Sequence, residues 1–171
     1  IAQKLNAVGF VVSERSSVGD RAEQIVRAIE QSMQRSDVVI TTGGLGPTKD
    51  DITKTTLAKM FGGGMRRDER VENHVRTMLA ARNIEFNELN RSQALVPESC
   101  EVLFNAHGTA PGMWFERKGK VVISLPGVPF EMRHLMEDEV LPRLKSRFSL
   151  RQIIHRTMIT AGIAESMLAE R

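Results

Sequence analysis

The stretch Ile40-Thr41-Thr42-Gly43-Gly44-Leu45-Gly46-Pro47-Thr48-Lys49-Asp50-Asp51-Ile52-Thr53 sets three glycines and two adjacent carboxylates behind the short run Asp37-Val38-Val39. Glycines let the backbone take positive φ and come close to a ligand, and successive N–H groups can turn inward to hold an anion. Between a strand end and a helix start, such a loop lies where open α/β sheets bind phosphates. The spacing is neither GxxxxGK[ST] nor GxGxxG, so the glycines alone allow a structural tight turn equally well. The carboxylates shift that balance. Beside a phosphate they need a divalent cation between, and Mg²⁺ favours one or two carboxylates plus phosphate oxygens. Asp51 is the candidate for holding the metal or its bound water. Asp50 supports it, or else caps the next helix or faces solvent. The N–H groups of Gly43, Gly44 and Gly46 would take phosphate oxygens, with Lys49 either joining them or lying exposed.

Two further stretches offer polar groups at turns. Leu125-Pro126-Gly127-Val128-Pro129-Phe130-Glu131 puts a Pro-Gly turn before a helix, a rigid turn that also presents backbone at a helix N-terminus. Glu131 is a second acidic candidate, although dipole compensation in the first helical turn explains it as well. Asn105-Ala106-His107-Gly108-Thr109-Ala110-Pro111-Gly112 supplies amide, hydroxyl and backbone groups suited to a ribose or base edge, or simply to entering a hairpin. His107 is not expected to be a catalytic base. His74 is expected at a core edge, and Trp114 and Phe115 in packing. No Ser-His-Asp or Cys-His arrangement supports nucleophilic catalysis.

The elements that must position these groups follow from periodicity. Ile1, Leu5 and Val8 share one helical face that opens without a cap, which predicts that something precedes it. Phe10–Glu14 has strand composition, and Asp20 with Glu23 forms a capping-box-like start to a helix whose core face is Ile25, Val26, Ile29 and Met33. Asp37–Thr42 reads as a strand covered on both faces, and a helix from about Ile52 to Phe61 ends at Gly62-Gly63-Gly64. Asp68–Arg82 reads as an amphipathic helix with Asn83 as a left-handed cap. Asn90–Leu95 suggests a short helix, Glu101–Phe104 a strand, and Gly112–Leu125 a hairpin turning at Lys118-Gly119-Lys120. The final helix starts at Pro129, and Pro142 should kink or end it. The pattern predicts a domain over 1–148 and the start of a second small α/β unit over 149–171, with a strand at Ile153–Ile159 and a helix from Gly162.

Composition narrows the function classes. The chain has 171 residues, 41% hydrophobic and 26% charged, enough for one α/β domain with its own core. Its net charge of +3 comes from interleaved charges such as Arg66-Arg67-Asp68-Glu69-Arg70, a solvated face that argues against nucleic-acid binding. The single Cys100 leaves no internal disulfide or CxxC zinc pair, which points to the cytoplasm. No apolar run reaches the ~18 residues of a membrane span, so no membrane partner is expected.

The loop "TTGGLGPTKDDIT" is similar to that of the molybdopterin-binding fold of MogA, MoaB, MoeA and gephyrin domains. Its pattern is TGG, any residue, GP, three residues, then Asp-x-Thr. Asp51 and Thr53 fall on the Asp-x-Thr, with Asp50 as the extra residue. Together with "NRSQALVP", "FNAHGTAPGMWFE", "LPGVPFEM" and "AGIAES" in that order, the chain resembles the N-terminal domain of the CinA, or competence/damage-inducible, family. The resemblance implies a three-layer α/β/α sandwich with a mainly parallel sheet and metal-dependent hydrolysis of ADP-ribose to AMP and ribose 5-phosphate. It also implies a small nucleotide substrate and, from other members of the fold, a dimer or trimer. It assigns Thr42, Gly43, Gly44 and Gly46 to the substrate loop, with Gly127 and Pro129 facing them across the ligand. Asn105, Gly108, Thr109 and Gly112 join the substrate contacts, Asn90 matches the Asn of N-x-x-Q-A, and Asp51 with Glu131 would hold the metal. The family usually begins with a strand that lies before this sequence, and its nicotinamide mononucleotide deamidase domain lies beyond it. Two rivals are a molybdopterin adenylyltransferase, disfavoured by "GTAPG" and "LPGVPFEM", and a non-catalytic binding or oligomerisation module.

Overall fold

A computed structural model describes residues 1–149, 159–162 and 165–169. Its elements are α1 (Ala2–Ala7), α2 (Ala22–Arg35), β1 (Val38–Thr42), α3 (Thr53–Phe61), β2 (Met65–Arg67), α4 (Glu69–Ala80) and α5 (Glu88–Arg91). There follow β3 (Leu95–Pro97), β4 (Glu101–Leu103), β5 (Gly112–Arg117), β6 (Lys120–Leu125), α6 (Pro129–Leu135), α7 (Leu141–Arg147) and α8 (Glu165–Ala169). The expected strand over Ile153–Ile159 lies outside the described residues apart from Ile159.

The main sheet runs β1-β6-β5-β4, and β2 pairs with β3 in a separate ribbon. Strand alternation builds the layers. Val121, Ile123 and Leu125 of β6 and Trp114 of β5 point to one face, where α1 (Leu5), α6 and α7 cover them. Val122, Met113 and Phe115 point to the other, beneath α2 (Ile25, Ile29) and α3 (Leu57). Helices on both faces of a central sheet make the expected three-layer α/β/α sandwich.

The sheet itself is mixed rather than mainly parallel: β1–β6 is parallel, whereas β6–β5 and β5–β4 are antiparallel. The reason is local. Arg117 pairs with Lys120, leaving Lys118 (φ 53°) and Gly119 (φ 77°) as a two-residue turn that doubles the chain straight back.

Other expectations change as well. Phe10–Glu14 forms no strand. Val11 and Val12 are exposed there, so apolar composition without a pairing partner does not suffice. Helix α2 starts at Ala22 behind Arg21, which leaves Asp20 one residue outside the cap position. The short helix before Pro97 is α5, capped by Asn87, followed by a 3₁₀ turn at Ser92–Ala94. Asn83 does adopt the left-handed conformation, with φ 54°.

Pro142 neither ends nor sharply breaks the last helical run. A π turn at Met136–Val140 carries the chain from α6 into α7, with Pro142 in the first turn of α7. The wider turn suits a residue that donates no hydrogen bond. It also explains the core spacing: Met136, Val140 and Leu144 recur every four residues, a step that drifts by about 40° in a regular helix.

Candidate functional site

The strand register brings the three sequence stretches to one edge of the sheet. Thr42 pairs with Leu125, Ser124 with Met113, and Gly112 with Leu103. The ends of β1, β4 and β6 and the start of β5 therefore lie side by side. From them emerge the glycine loop, the Asn105–Pro111 loop and the Pro126–Val128 turn. Three strand spacings of about 4.8 Å separate the outermost of these, room for an extended ligand rather than a lone phosphate.

The glycine loop is organised from within. Thr53 N–H donates to the Gly44 carbonyl (3.1 Å), docking the first residue of α3 on the loop. Asp51 Oδ2 accepts from Thr48 N–H (3.1 Å) and from the Thr48 hydroxyl (2.5 Å). Burial by itself would raise the Asp51 carboxyl. Hydrogen bonds from Thr48, the nearby Gly46 N–H and the Lys54 charge outweigh it and hold the carboxyl below its usual value. Asp51 stays ionised through the neutral range, and its contribution to stability is lost only as pH falls into the acid range below that value.

One of the three glycine N–H groups is engaged inside the protein. The Gly43 N–H donates to the Leu125 carbonyl (2.9 Å), extending the parallel ladder by one residue. The expectation that all three take phosphate oxygens is corrected to Gly44 and Gly46. Gly43 has another use: Gly127 packs against its Cα, 3.4 Å from where a Gly127 Cβ would stand. The TGG and PG turns thus touch at Gly43 and Gly127, where the resemblance implied that they face each other across a ligand. Thr42, Lys49 and Asp50 are exposed at this edge, and Lys49 and Asp50 have no side-chain partner among the described residues.

A second cradle forms between the Asn105 loop and α6. Buried Asn105 donates from Nδ2 to the Ala110 carbonyl (2.9 Å) and to Glu131 Oε2 (2.7 Å), and its Oδ1 accepts from the His107 N–H (3.1 Å). Gly108 is buried, and a Cβ there would overlap the Glu131 carboxylate. Thr109 is half-buried in the same loop, and Pro129 is exposed at the first position of α6. Gly112 lies in β5, where a Cβ would stand 3.1 Å from Leu103 Cβ, so its smallness serves strand packing. Asn90 turns inward on its own segment, donating to the Glu85 carbonyl (3.2 Å).

Two further buried polar residues, Lys54 and Gln93, are not among the expected site residues, although Gln93 is the Gln of N-x-x-Q-A. Lys54 is only 7% exposed and donates from Nζ to the Ser92 carbonyl (3.0 Å), tying α3 to the NRSQA segment. Its position three residues after Asp51, on the face that includes Leu57, is the one available sign. Gln93, 1% exposed, has both side-chain polar atoms without a partner among the described residues. A cleft of about 480 Å³ lined by Arg66, Arg70, Cys100 and Phe104 includes no residue of the three loops.

Burial pushes the Lys54 ammonium down to about 8, against the pull of Asp51. Its unfolded value is 10.5, so between about pH 8 and 10.5 the unfolded chain binds more protons, and stability rises with pH. The rise approaches about 1.4 kcal/mol per pH unit at most. Melting curves of the native chain and Lys54→Met at pH 7.5, 9 and 10 should therefore diverge, the native chain gaining relative to the variant. Parallel curves would show that Lys54 is not buried as a cation.

Comparison with known proteins places these features in a wider set. Residues 1–146 match the family described as "Probable molybdopterin binding domain". The chain is 47% identical over 170 residues to a CinA-like protein of Cytophaga hutchinsonii, covering 99% of this chain and 41% of that protein. A putative competence-damage inducible protein of Caldicellulosiruptor bescii is 44% identical, with 99% and 41% covered. The chain thus spans about two-fifths of the length of these relatives. Among solved structures, CinA of Thermoplasma acidophilum aligns at 34% identity and a TM-score of 0.62, over 75% of this chain and 73% of that one. A molybdenum cofactor biosynthesis protein B shares the fold at 23% identity and a TM-score of 0.55, over 85% and 78%.

Proposed function

This chain belongs to the family of probable molybdopterin binding domains and to its CinA-like members, and on that premise we propose that it hydrolyses ADP-ribose to AMP and ribose 5-phosphate with a divalent cation. The observation that carries the reading is an ionised carboxylate, Asp51, fixed inside a glycine loop at the sheet edge where two further polar loops converge.

The residues present fit a cation. Asp51 and Glu131 are each oriented by uncharged donors, Thr48 and Asn105, and neither forms a salt bridge among the described residues. Their negative charge remains available. A bound Mg²⁺ would screen the diphosphate and favour a nucleophilic water. The chain's own groups do the rest. The free Gly44 N–H meets a phosphate oxygen, and exposed Lys49 adds positive charge at the loop mouth. Thr109 and the backbone of the Asn105 loop orient the sugar. A small nucleotide substrate and assembly as two or three copies belong to the same reading. No helix among the described residues is long and apolar enough to cross a membrane.

AMP release from ADP-ribose, with and without Mg²⁺, should be metal-dependent in a longer protein carrying this sequence and absent from its Asp51→Ala variant. Activity surviving Asp51→Ala would remove that residue from the mechanism. No turnover with any metal would favour a nucleotide-binding module instead.

A further inference from the structure

The loop after β4 and the helical run from α6 into the π turn bring together three potential metal ligands that neither the fold nor the nucleotide edge accounts for. His107, His134 and Asp138 each offer a ligand atom, all within 4.8 Å of one another. The imidazole rings of His107 and His134 lie 3.9 Å apart, centroid to centroid, tilted by 31°. None of the three side chains has a hydrogen-bond or ion-pair partner among the described residues, so all of their ligating atoms are free.

We propose that His107, His134 and Asp138 form a binding site for a divalent transition metal of the zinc class, separate from the Asp51 loop. Two imidazoles and one carboxylate make a nitrogen and oxygen donor set that suits Zn²⁺ and leaves a coordination position open. The scaffold is built for it on two sides. His134 and Asp138 stand four residues apart, one on the last turn of α6 and the other inside the π turn, so they project from one side of the helix. His107 approaches from the facing loop, where its backbone N–H is pinned to Asn105 Oδ1. Phe130 packs edge-on against both rings, at 5.4 Å from His107 and 4.6 Å from His134, and limits their rotation.

Ligand atoms around tetrahedral zinc stand about 3.4 Å apart, given metal–ligand distances of ~2.1 Å. The three groups, no more than 4.8 Å apart, therefore draw in by at most about 1.4 Å, within the reach of side-chain rotation, since His107 and Asp138 are exposed. Through Asn105, which holds both the His107 N–H and Glu131 Oε2, the site adjoins the second cradle of the sheet edge.

The test is calorimetric titration of the untagged protein with ZnCl₂, paired with visible absorption of the Co²⁺ form. The histidine site should take one metal per chain with a Kd of about 10 μM or tighter, and Co²⁺ should show ligand-field bands. His107→Ala and His134→Ala should each weaken Zn²⁺ at least about tenfold, since even outer partners of metal ligands contribute that much. Asp51→Ala should bind zinc as the native chain does. Zinc should raise the melting temperature of the native chain and leave that of the His107→Ala/His134→Ala double variant unchanged. His107 is exposed and His134 half-buried, so the metal-free variants should melt within a few degrees of the native chain. No binding at 100 μM zinc, equal affinity in the double variant, or loss of binding in Asp51→Ala with retention in the histidine variants would each overturn the site. Because zinc binding is read directly, failure of the hydrolase reading leaves this result intact.

Discussion

Replacing Gly44 by alanine should lower the melting temperature by roughly 6–12 °C, corresponding to about 3 kcal/mol for a chain of this size. Two effects combine. The residue sits at φ +68°, a left-handed conformation that costs an alanine about 1–2 kcal/mol. Its new methyl would also overlap Thr53 Oγ1 and stand 2.9 Å from Thr53 Cβ. Thr53 cannot simply move aside, because its N–H is the bond that docks α3 on the loop. Gly43 provides the control. At φ +96° with nothing within 4 Å of a built Cβ, Gly43→Ala meets the backbone penalty without the clash. Denaturant unfolding of both variants and of Gly44→Ala/Thr53→Ala separates the terms. The double variant should recover part of the loss. Equal damage from Gly43→Ala and Gly44→Ala would show that the overlap with Thr53 is relieved at no cost.

Asn105→Leu should be nearly as damaging, at about 2–4 kcal/mol, and should also weaken nucleotide binding. Asn105 is 3% exposed, and leucine would leave the Ala110 carbonyl and the His107 N–H without their partner. The Ala110 carbonyl, stranded in this way among buried groups, costs about 1–3 kcal/mol, and the His107 N–H, on an exposed residue, costs less. Glu131 would lose the donor that aims it. Asn105→Asp distinguishes shape from chemistry. It preserves the volume and the acceptor for His107, but it removes both donated bonds and sets a carboxylate against Glu131. It should destabilise the protein as much as leucine does, as read by unfolding and by fluorescence-detected ADP-ribose binding. A benign Asn105→Asp would mean that the two donated bonds contribute little.

The extent to which this arrangement could be read from residues alone depended on how local its causes are. The hairpin followed from Lys118-Gly119 and the strand alternation around it. The helix from Glu69 to Ala80 followed from its apolar stripe and Asn83, and the core faces of α2 and α6 from spacing. The convergence of the glycine loop with the Pro-Gly turn was expected from family resemblance, and the pairing of Thr42 with Leu125 accounts for it. What escaped depended on long-range partners. Phe10–Glu14 has the composition of a strand but no neighbouring strand to complete it among the described residues. The Gly43 N–H is taken by a carbonyl 82 positions away, which no local pattern announces. Lys54 is buried where it bonds the Ser92 carbonyl, 38 positions along the chain. His107 and His134, 27 positions apart, became neighbours only through the docking of α6 beside the Asn105 loop.

The π turn before Pro142 gives the last helical run one residue to spare. A π turn closes i→i+5 where an α turn closes i→i+4, so removing one residue from Met136–Val140 would restore regular α geometry while His134 on one side and Leu144 on the other keep nearly the faces they hold now. The same deletion made within α6 or α7 has no such slack. It would turn the two halves of the run by about 100° and swing Glu131 and His134 away from the loops they face. A single deletion inside the π turn should therefore be tolerated better than one made a turn to either side.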